Sequence, residues 1–186
     1  AIVAPVEQRA LTAWWAARSP SVRLRRTLAD YQSALALVSG QANSIMYIDA
    51  HVDPTRPGYS DFAALVACAA GRSPRPRIEV HRVCYSGSGP GRSVLSNSDI
   101  EQLFRGAYAA TVAAAGLSTE VFVWDDFHDR YLISDLIGVS MSNGFDTTNA
   151  PNARATWSRL GRQDRDEIQR EYDPARRKPR HRFTVP

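Results

Sequence analysis

Three β-rich runs separated by two helical ones constrain this fold more than any other feature of the chain. SIMYIDAHV (44–52), RIEVHRVCYS (77–86) and TEVFVWDDF (119–127) are dominated by β-branched and aromatic residues. The first ends in the turn signal DPTRPG, after which Ser60 can cap a helix through Ala70, stopped by Gly71. The loop GSGPGRSVLSN follows the second run, and SDIE (98–101) offers a capping box for a helix running to Ala115, before Gly116. Strand, helix, strand, helix, strand predicts parallel neighbours joined by right-handed crossovers. HDRYLISD and IGVSMSNGF come too soon afterwards for helical crossovers and are expected as antiparallel or edge additions.

Upstream, residues 5–18 and 21–39 show helical spacing. Trp14, Trp15, Leu24, Leu28, Tyr31, Leu35 and Val38 recur three or four apart, with Gly40 as a stop. Downstream lie a polar loop, a charged helix over 163–172 and a short strand, HRFTV (181–185). The expected fold is mixed α/β, a mainly parallel sheet flanked by helices on both faces. The 186 residues, 44% of them hydrophobic, suit one domain over 1–186. It divides into N-terminal helices (1–40), an α/β core (41–148) and a basic C-terminal helix and strand (149–186).

The net charge of +4 is concentrated at one end, where ten basic and five acidic residues fall between 151 and 186. A basic end suits a nucleic-acid or other anionic partner, because each neutralised phosphate releases counterions. All but one of the chain's basic residues are arginine, Lys178 being the exception, so compositional bias accounts for much of this segment. Cys68 and Cys84 lack metal-type spacing and read as buried thiols of a reducing compartment. No apolar run reaches the roughly 18–20 residues that span a bilayer, and the amino terminus does not read as a secretory leader. The expectation is a soluble cytoplasmic protein. Because the sequence opens on AIVAP without methionine, it also reads as a piece of a larger effector or defence chain.

Ligands of such sheets favour the carboxyl ends of the parallel strands. Those ends carry Asp49, His51 and Asp53, then Cys84 to Gly89, then Asp125, Asp126 and His128. WDDFHDRYLISD (124–135) sets charged groups on what otherwise reads as a core strand, which calls for either a satisfied network or a site. His128 and Arg130 are two apart and on a strand share one face, roughly 6–7 Å apart, with Asp129 and Tyr131 on the other. An imidazole nucleophile beside a bidentate cation suits attack on a phosphodiester. Asp135 would anchor the strand end or orient a histidine, and His51 on the same rim is a further candidate contact to substrate.

HDRYLISD has the form HxRxxxxD and resembles the HxKxxxxD motif of the phospholipase D superfamily, with arginine in place of lysine. IGVSMSNGF resembles the Gly/Ser/Asn segment that follows the motif there, and SIMYIDAHVDP looks like the first strand of that fold. The resemblance spans about residues 44–146. It implies metal-free phosphodiester cleavage without a cofactor: one histidine attacks phosphorus, a second protonates the leaving oxygen, and water frees the product. His128 would be nucleophile or acid, Arg130 the phosphate clamp, and Ser140, Ser142 and Asn143 further phosphate ligands. With one motif copy, the site would need a homodimer pairing His128 with its symmetry mate.

Other features have plainer readings. GSGPGR is a connector or a backbone phosphate contact with Arg92. Asp49, His51 and Asp53, with Asp125 or Asp126, have the chemistry of a metal site but no dedicated spacing. His81 reads as a satisfied core histidine, His181 as solvent-facing, Trp124 and Trp157 as core or interface, and Ser86 and Ser88 lack a nucleophile elbow. The expected function is a metal-independent phosphodiesterase, a nuclease acting on DNA or RNA as a homodimer; the alternatives are a silent module binding nucleic acid, phospholipid head groups or protein, and an effector or sensor domain.

Overall fold

A computed structural model describes residues 19–87 and 89–186. The helix expected over 5–18, with Trp14 and Trp15, lies outside them, as does Ser88. The strands are β1 (Ser21–Arg25), β2 (Ser44–Asp49), β3 (Arg77–Val83), β4 (Tyr85–Ser86), β5 (Ser93–Val94), β6 (Thr119–Trp124), β7 (Arg130–Ser134), β8 (Gly138–Met141), β9 (Arg154–Arg159) and β10 (His181–Val185). The helices are α1 (Leu28–Gln41), α2 (Phe62–Ala67), α3 (Asn97–Ala107), α4 (Ala109–Ala114) and α5 (Arg162–Glu171). Eight strands form one sheet in the order β1-β9-β8-β7-β2-β3-β6-β10, and β4 and β5 form a separate hairpin.

The expected parallel centre is present as β2, β3 and β6, but the sheet is mixed and not mainly parallel, with two parallel and five antiparallel pairings, because the outer strands follow connections that lack helical crossovers. The closely spaced β7 and β8 add antiparallel on one side, and β10 closes the other edge antiparallel to β6. Both faces of this centre are covered, so even the polar Glu79, His81 and Arg82 of β3 are buried. Ile45 and Tyr47 of β2 join a core with Tyr31 and Leu35 of α1, Phe62 and Val66 of α2, Phe104 of α3 and Val112 of α4. Met46 and Ile48 point the other way, to Phe122, Trp124, Tyr172 and the partly buried Ile168 of α5. Helices thus flank both faces, as expected.

Several boundaries differ from expectation. Residues 21–25 are not helical but pair with β9, from Ser21 opposite Ser158 to Arg25 opposite Arg154. The helix starts at Leu28 because the Thr27 side chain accepts from Asp30 N and caps it. β9 falls in what reads as a polar loop, yet it alternates buried Ala155 and Trp157 with exposed Arg154 and Thr156. The capping box is real but begins at Ser96, with Asp99 as its acid. That helix also breaks at the buried Tyr108 instead of running through to Ala115. The helix after the DPTRPG turn is short, preceded by a 3-10 turn at Pro57–Tyr59.

Some buried polar groups are paired, whereas Tyr47 Oη, Trp157 Nε1 and Tyr172 Oη have no hydrogen-bond partner among the described residues. His81 is fully buried, its Nε2 lying 3.1 Å from Glu79 Oε2 and its Nδ1 accepting from Trp124 Nε1 at 3.1 Å. Since Nδ1 accepts, Nε2 carries the proton and donates to Glu79. Cys68 and Cys84 are free thiols, Cys84 buried. His181 is not solvent-facing as expected: it sits 2.7 Å from Glu101 and stacks on Phe183, tying β10 to α3. No helix among the described residues is long and apolar enough to cross a membrane.

Candidate functional site

β2 ends at Asp49 because the chain folds back on that carboxylate. His51 N donates to Asp49 Oδ1 at 3.0 Å, and Val52 N donates to Asp49 O at 3.3 Å. Asp53 then makes a second turn, accepting at Oδ1 from Thr55 N (3.0 Å) and Thr55 Oγ1 (2.6 Å). The 3-10 turn that follows returns Tyr59, whose hydroxyl donates to Asp49 Oδ2 at 3.0 Å. Asp49, His51 and Asp53 therefore do not share a strand face, which removes the geometry of the metal reading. Among the described residues no cluster of three metal-ligating side chains occurs.

β7 runs antiparallel to β2, so its first residue, Arg130, stands directly opposite Asp49, with Nε 3.7 Å from Oδ1. Beyond the end of β8 the chain turns through Ser142–Phe145, and Phe145 N donates to Asp49 Oδ2 at 3.2 Å. Gly144 takes φ +65° in that turn, and a Cβ there would lie 2.0 Å from Asp49 Oδ2 and 2.9 Å from Arg130 Cδ. One fully buried carboxylate thus organises three segments distant in sequence. Above it opens a cavity of about 470 Å³, lined by His51, Arg56, Tyr59, Arg130, Ser142, Asn143 and Asp146 among others.

Arg56, Arg130 and His51 share the cavity lining with the acid Asp146, and the buried Asp49 lies beneath. His51 is held below the usual histidine range, first by burial and then by the positive charges of Arg130, His128, Arg82 and Arg56. Arg82, almost fully buried, is held below the ordinary arginine value by that burial, against the pull of Asp53 and Asp49. Its Nε donates to Val83 O and its Nη2 to Tyr85 O, both at 2.9 Å. Asp49 is pushed up by burial, opposed by the His51 and Phe145 backbone N–H groups and by Arg130. Burial also raises Asp146, opposed by its ion pair with Arg26, and burial raises Tyr59 beside Asp49.

The sequence candidates are distributed unevenly around this cavity. His51, Arg130, Ser142 and Asn143 line it. Ser142 already uses its hydroxyl within the protein, accepting from Thr156 N and donating to Asn143 Oδ1, both at 3.0 Å. His128 does not share a strand with Arg130 as expected. It precedes β7 on a loop, its side chain 81% exposed, with Asp126 Oδ1 at 3.9 Å. Ser140 stands opposite Tyr131 and beside Ile48 in register, on the other sheet face from Arg130. Asp135 lies at the far end of β7, about 17 Å along the strand from Arg130. There it accepts from Asn43 N (2.9 Å), Asn43 Nδ2 (2.8 Å) and Ser44 N (3.3 Å), so it anchors the strand end and orients no histidine.

Arg56, Tyr59, Asp146 and the organising role of Asp49 are not foreseeable from the sequence. DPTRPGY carries a turn signal but nothing to say that the turn faces β7. The loop bearing His128 is held by arginines: Arg92 reaches Asp126 Oδ2 at 3.5 Å, and Arg180 reaches Asp125 Oδ1 at 3.2 Å. Arg92 also lies 4.2 Å over the Tyr85 ring and Arg177 5.1 Å over Trp124. Part of the basic tail is thus engaged within the protein.

No protein-family model and no curated protein matches the chain. Solved structures are similar in backbone. One is TrmBL2, an archaeal chromatin protein with a novel mode of DNA binding: 10% identity, 88% of this chain and 54% of that one covered, TM-score 0.46. NucT from Helicobacter pylori is 13% identical, with coverage of 82% and 91% and a TM-score of 0.49. Polyphosphate kinase from Porphyromonas gingivalis is 10% identical, with coverage of 82% and 24% and a TM-score of 0.46. The chain spans about half the length of the first and a quarter of the third. These likenesses concern the course of the backbone and say nothing of activity.

Proposed function

We propose that this chain is a phospholipase-D-like phosphodiesterase acting on nucleic acid, its cleft receiving the scissile phosphate. The observation that carries the reading is the cleft lining, where Arg56, Arg130 and His51 meet Ser142 and Asn143 around one opening. An anion entering there would find cations on several sides. Arg130 would hold the non-bridging oxygens. His128 Nε2 would attack phosphorus as the P–O bond to the leaving strand breaks. A second histidine, His128 of a twofold-related copy, would give its proton to that oxygen. Water, giving a proton back to that second histidine, would then break the P–N bond and restore both rings. No step draws on Asp135 or Ser140.

The test is cleavage of plasmid, single-stranded DNA and RNA in excess chelator, with the His128→Ala variant alongside and sedimentation to read the oligomeric state. The proposal expects chelator-resistant cleavage by a dimer, abolished in the variant. Cleavage that chelation removes would overturn it. A second reading is supported by the exposed loop position of His128: a module that binds phosphate through His51, Arg56 and Arg130 without cleaving. It expects salt-sensitive binding retained in His128→Ala, and no cleavage under any condition.

A further inference from the structure

Arg130 stands where the resembled motif carries lysine, and the structure gives that exchange a physical account. Asp49 has no exposed surface, and both its oxygens are occupied. Oδ2 accepts from the Tyr59 hydroxyl and Phe145 N, and Oδ1 accepts from His51 N. Among the described residues Arg130 is the cation within ion-pair distance, presenting its Nε edge to Oδ1 at 3.7 Å. Gly144 packs against both side chains, so neither can swing into the turn above it. The guanidinium is a planar fork with two usable edges, whereas an ammonium is a compact point charge.

Resting on the phosphate-binding reading of the cleft, we propose that Asp49 is a positioning residue. It holds the Nε edge of Arg130 at the cleft floor and leaves the Nη edge, on a side chain 32% exposed, for a phosphate. Lysine cannot do both. Drawn down to Asp49 its charge leaves the ligand, and drawn up to the ligand it strips a buried carboxylate of its counter-ion. The arginine is therefore required by its partner across the β2–β7 pair and is not a neutral exchange of one cation for another.

The experiment measures inorganic phosphate binding by calorimetry to the wild type, Arg130→Lys, Asp49→Asn and the double variant. Alongside it, hydrogen exchange of the Arg130 Nε–H is followed by nitrogen-15 NMR, the signal being identified by its absence in Arg130→Lys. Each single variant is expected to weaken phosphate binding about tenfold or more. The double variant should be no weaker than the worse single one, and Nε–H exchange should be slow in the wild type and fast in Asp49→Asn. Additive losses, Arg130→Lys binding as tightly as wild type, or fast exchange in the wild type would each overturn the proposal. Should Asp49→Asn not fold, the wild-type exchange rate and the Arg130→Lys affinity still decide. Should the wild type bind no phosphate, the reading of the cleft falls, and slow or fast Nε–H exchange still decides whether Asp49 holds Arg130.

Discussion

Replacing Gly144 with alanine tests whether the turn above Asp49 is as tightly coupled to the site as its geometry states. The backbone there has φ +65°, and a non-glycine residue in that region costs about 1–2 kcal/mol. The added Cβ would sit 2.0 Å from Asp49 Oδ2, so the turn must lift or the carboxylate must move. Either movement breaks the bond from Phe145 N, and a hydrogen bond to a charged group is worth about 1.5–3 kcal/mol. The total is about 2.5–5 kcal/mol, which lowers the melting temperature of a chain this size by roughly 5–20 °C. Gly71 is the control: its φ is +81° but nothing lies within 4 Å of where its Cβ would stand, so Gly71→Ala should show the backbone cost of about 1–2 kcal/mol alone. Denaturant unfolding of the wild type and both variants gives the two differences directly. Equal losses in the two variants would refute the claim that Gly144 is pressed onto the site.

Three further outcomes follow from single side chains. His128→Ala should leave stability within about 0.5 kcal/mol of wild type, because the ring is largely in solvent, while removing cleavage; a substantial loss of stability would show the loop to be packed in solution. Asp135, although burial raises it, is held below the usual carboxylate range by hydrogen bonds from Asn43 and Ser44, so its contribution is present above the ordinary aspartate value and fades as pH falls through its lowered one. Asp135→Asn should cost about 0.5–1.5 kcal/mol at pH 7, progressively less in acid, and should leave phosphate binding unchanged, a loss of binding placing Asp135 at the site after all. Burial holds His81 below the usual histidine range, so the unfolded chain takes up the proton first and stability falls as pH drops below about 6.5, by at most about 1.4 kcal/mol per pH unit for this group. His81→Phe should flatten that slope, leaving the part due to His51, which is shifted in the same direction; an unchanged slope would mean that His81 is not the group that titrates.

What can be read from the sequence follows from how many neighbours a segment has. β2, β3 and β6 are largely buried on both faces and rich in β-branched and aromatic residues, and their order with the intervening helices dictates the parallel centre. β10, an edge strand, is also legible, because HRFTV alternates cleanly after a charged helix. β1 and β9 are not: each is half exposed and arginine-bearing, and β1 owes its conformation to β9, more than 120 residues away in sequence, while β9 is held between β1 and β8. In SVRLRRTL the leucine spacing suits a helix equally well until β9 is there to pair with.

The same division applies to the cleft. His51, Arg130, Ser142 and Asn143 carry recognisable chemistry in recognisable turns, and sequence alone singles them out. Asp135 is singled out too, but a strand has two ends, and only the pairing of β7 with β2 puts Arg130 beside Asp49 and Asp135 beside Asn43. Arg56 and Tyr59 look like ordinary turn residues until the 3-10 turn brings Tyr59 onto that carboxylate and Arg56 to the cavity wall. Residue type determined which groups were able to hold a phosphate. Strand register and one left-handed turn decided which of them meet, because electrostatic and hydrogen-bond energies depend on distances of a few ångströms that residues remote in sequence acquire only on folding.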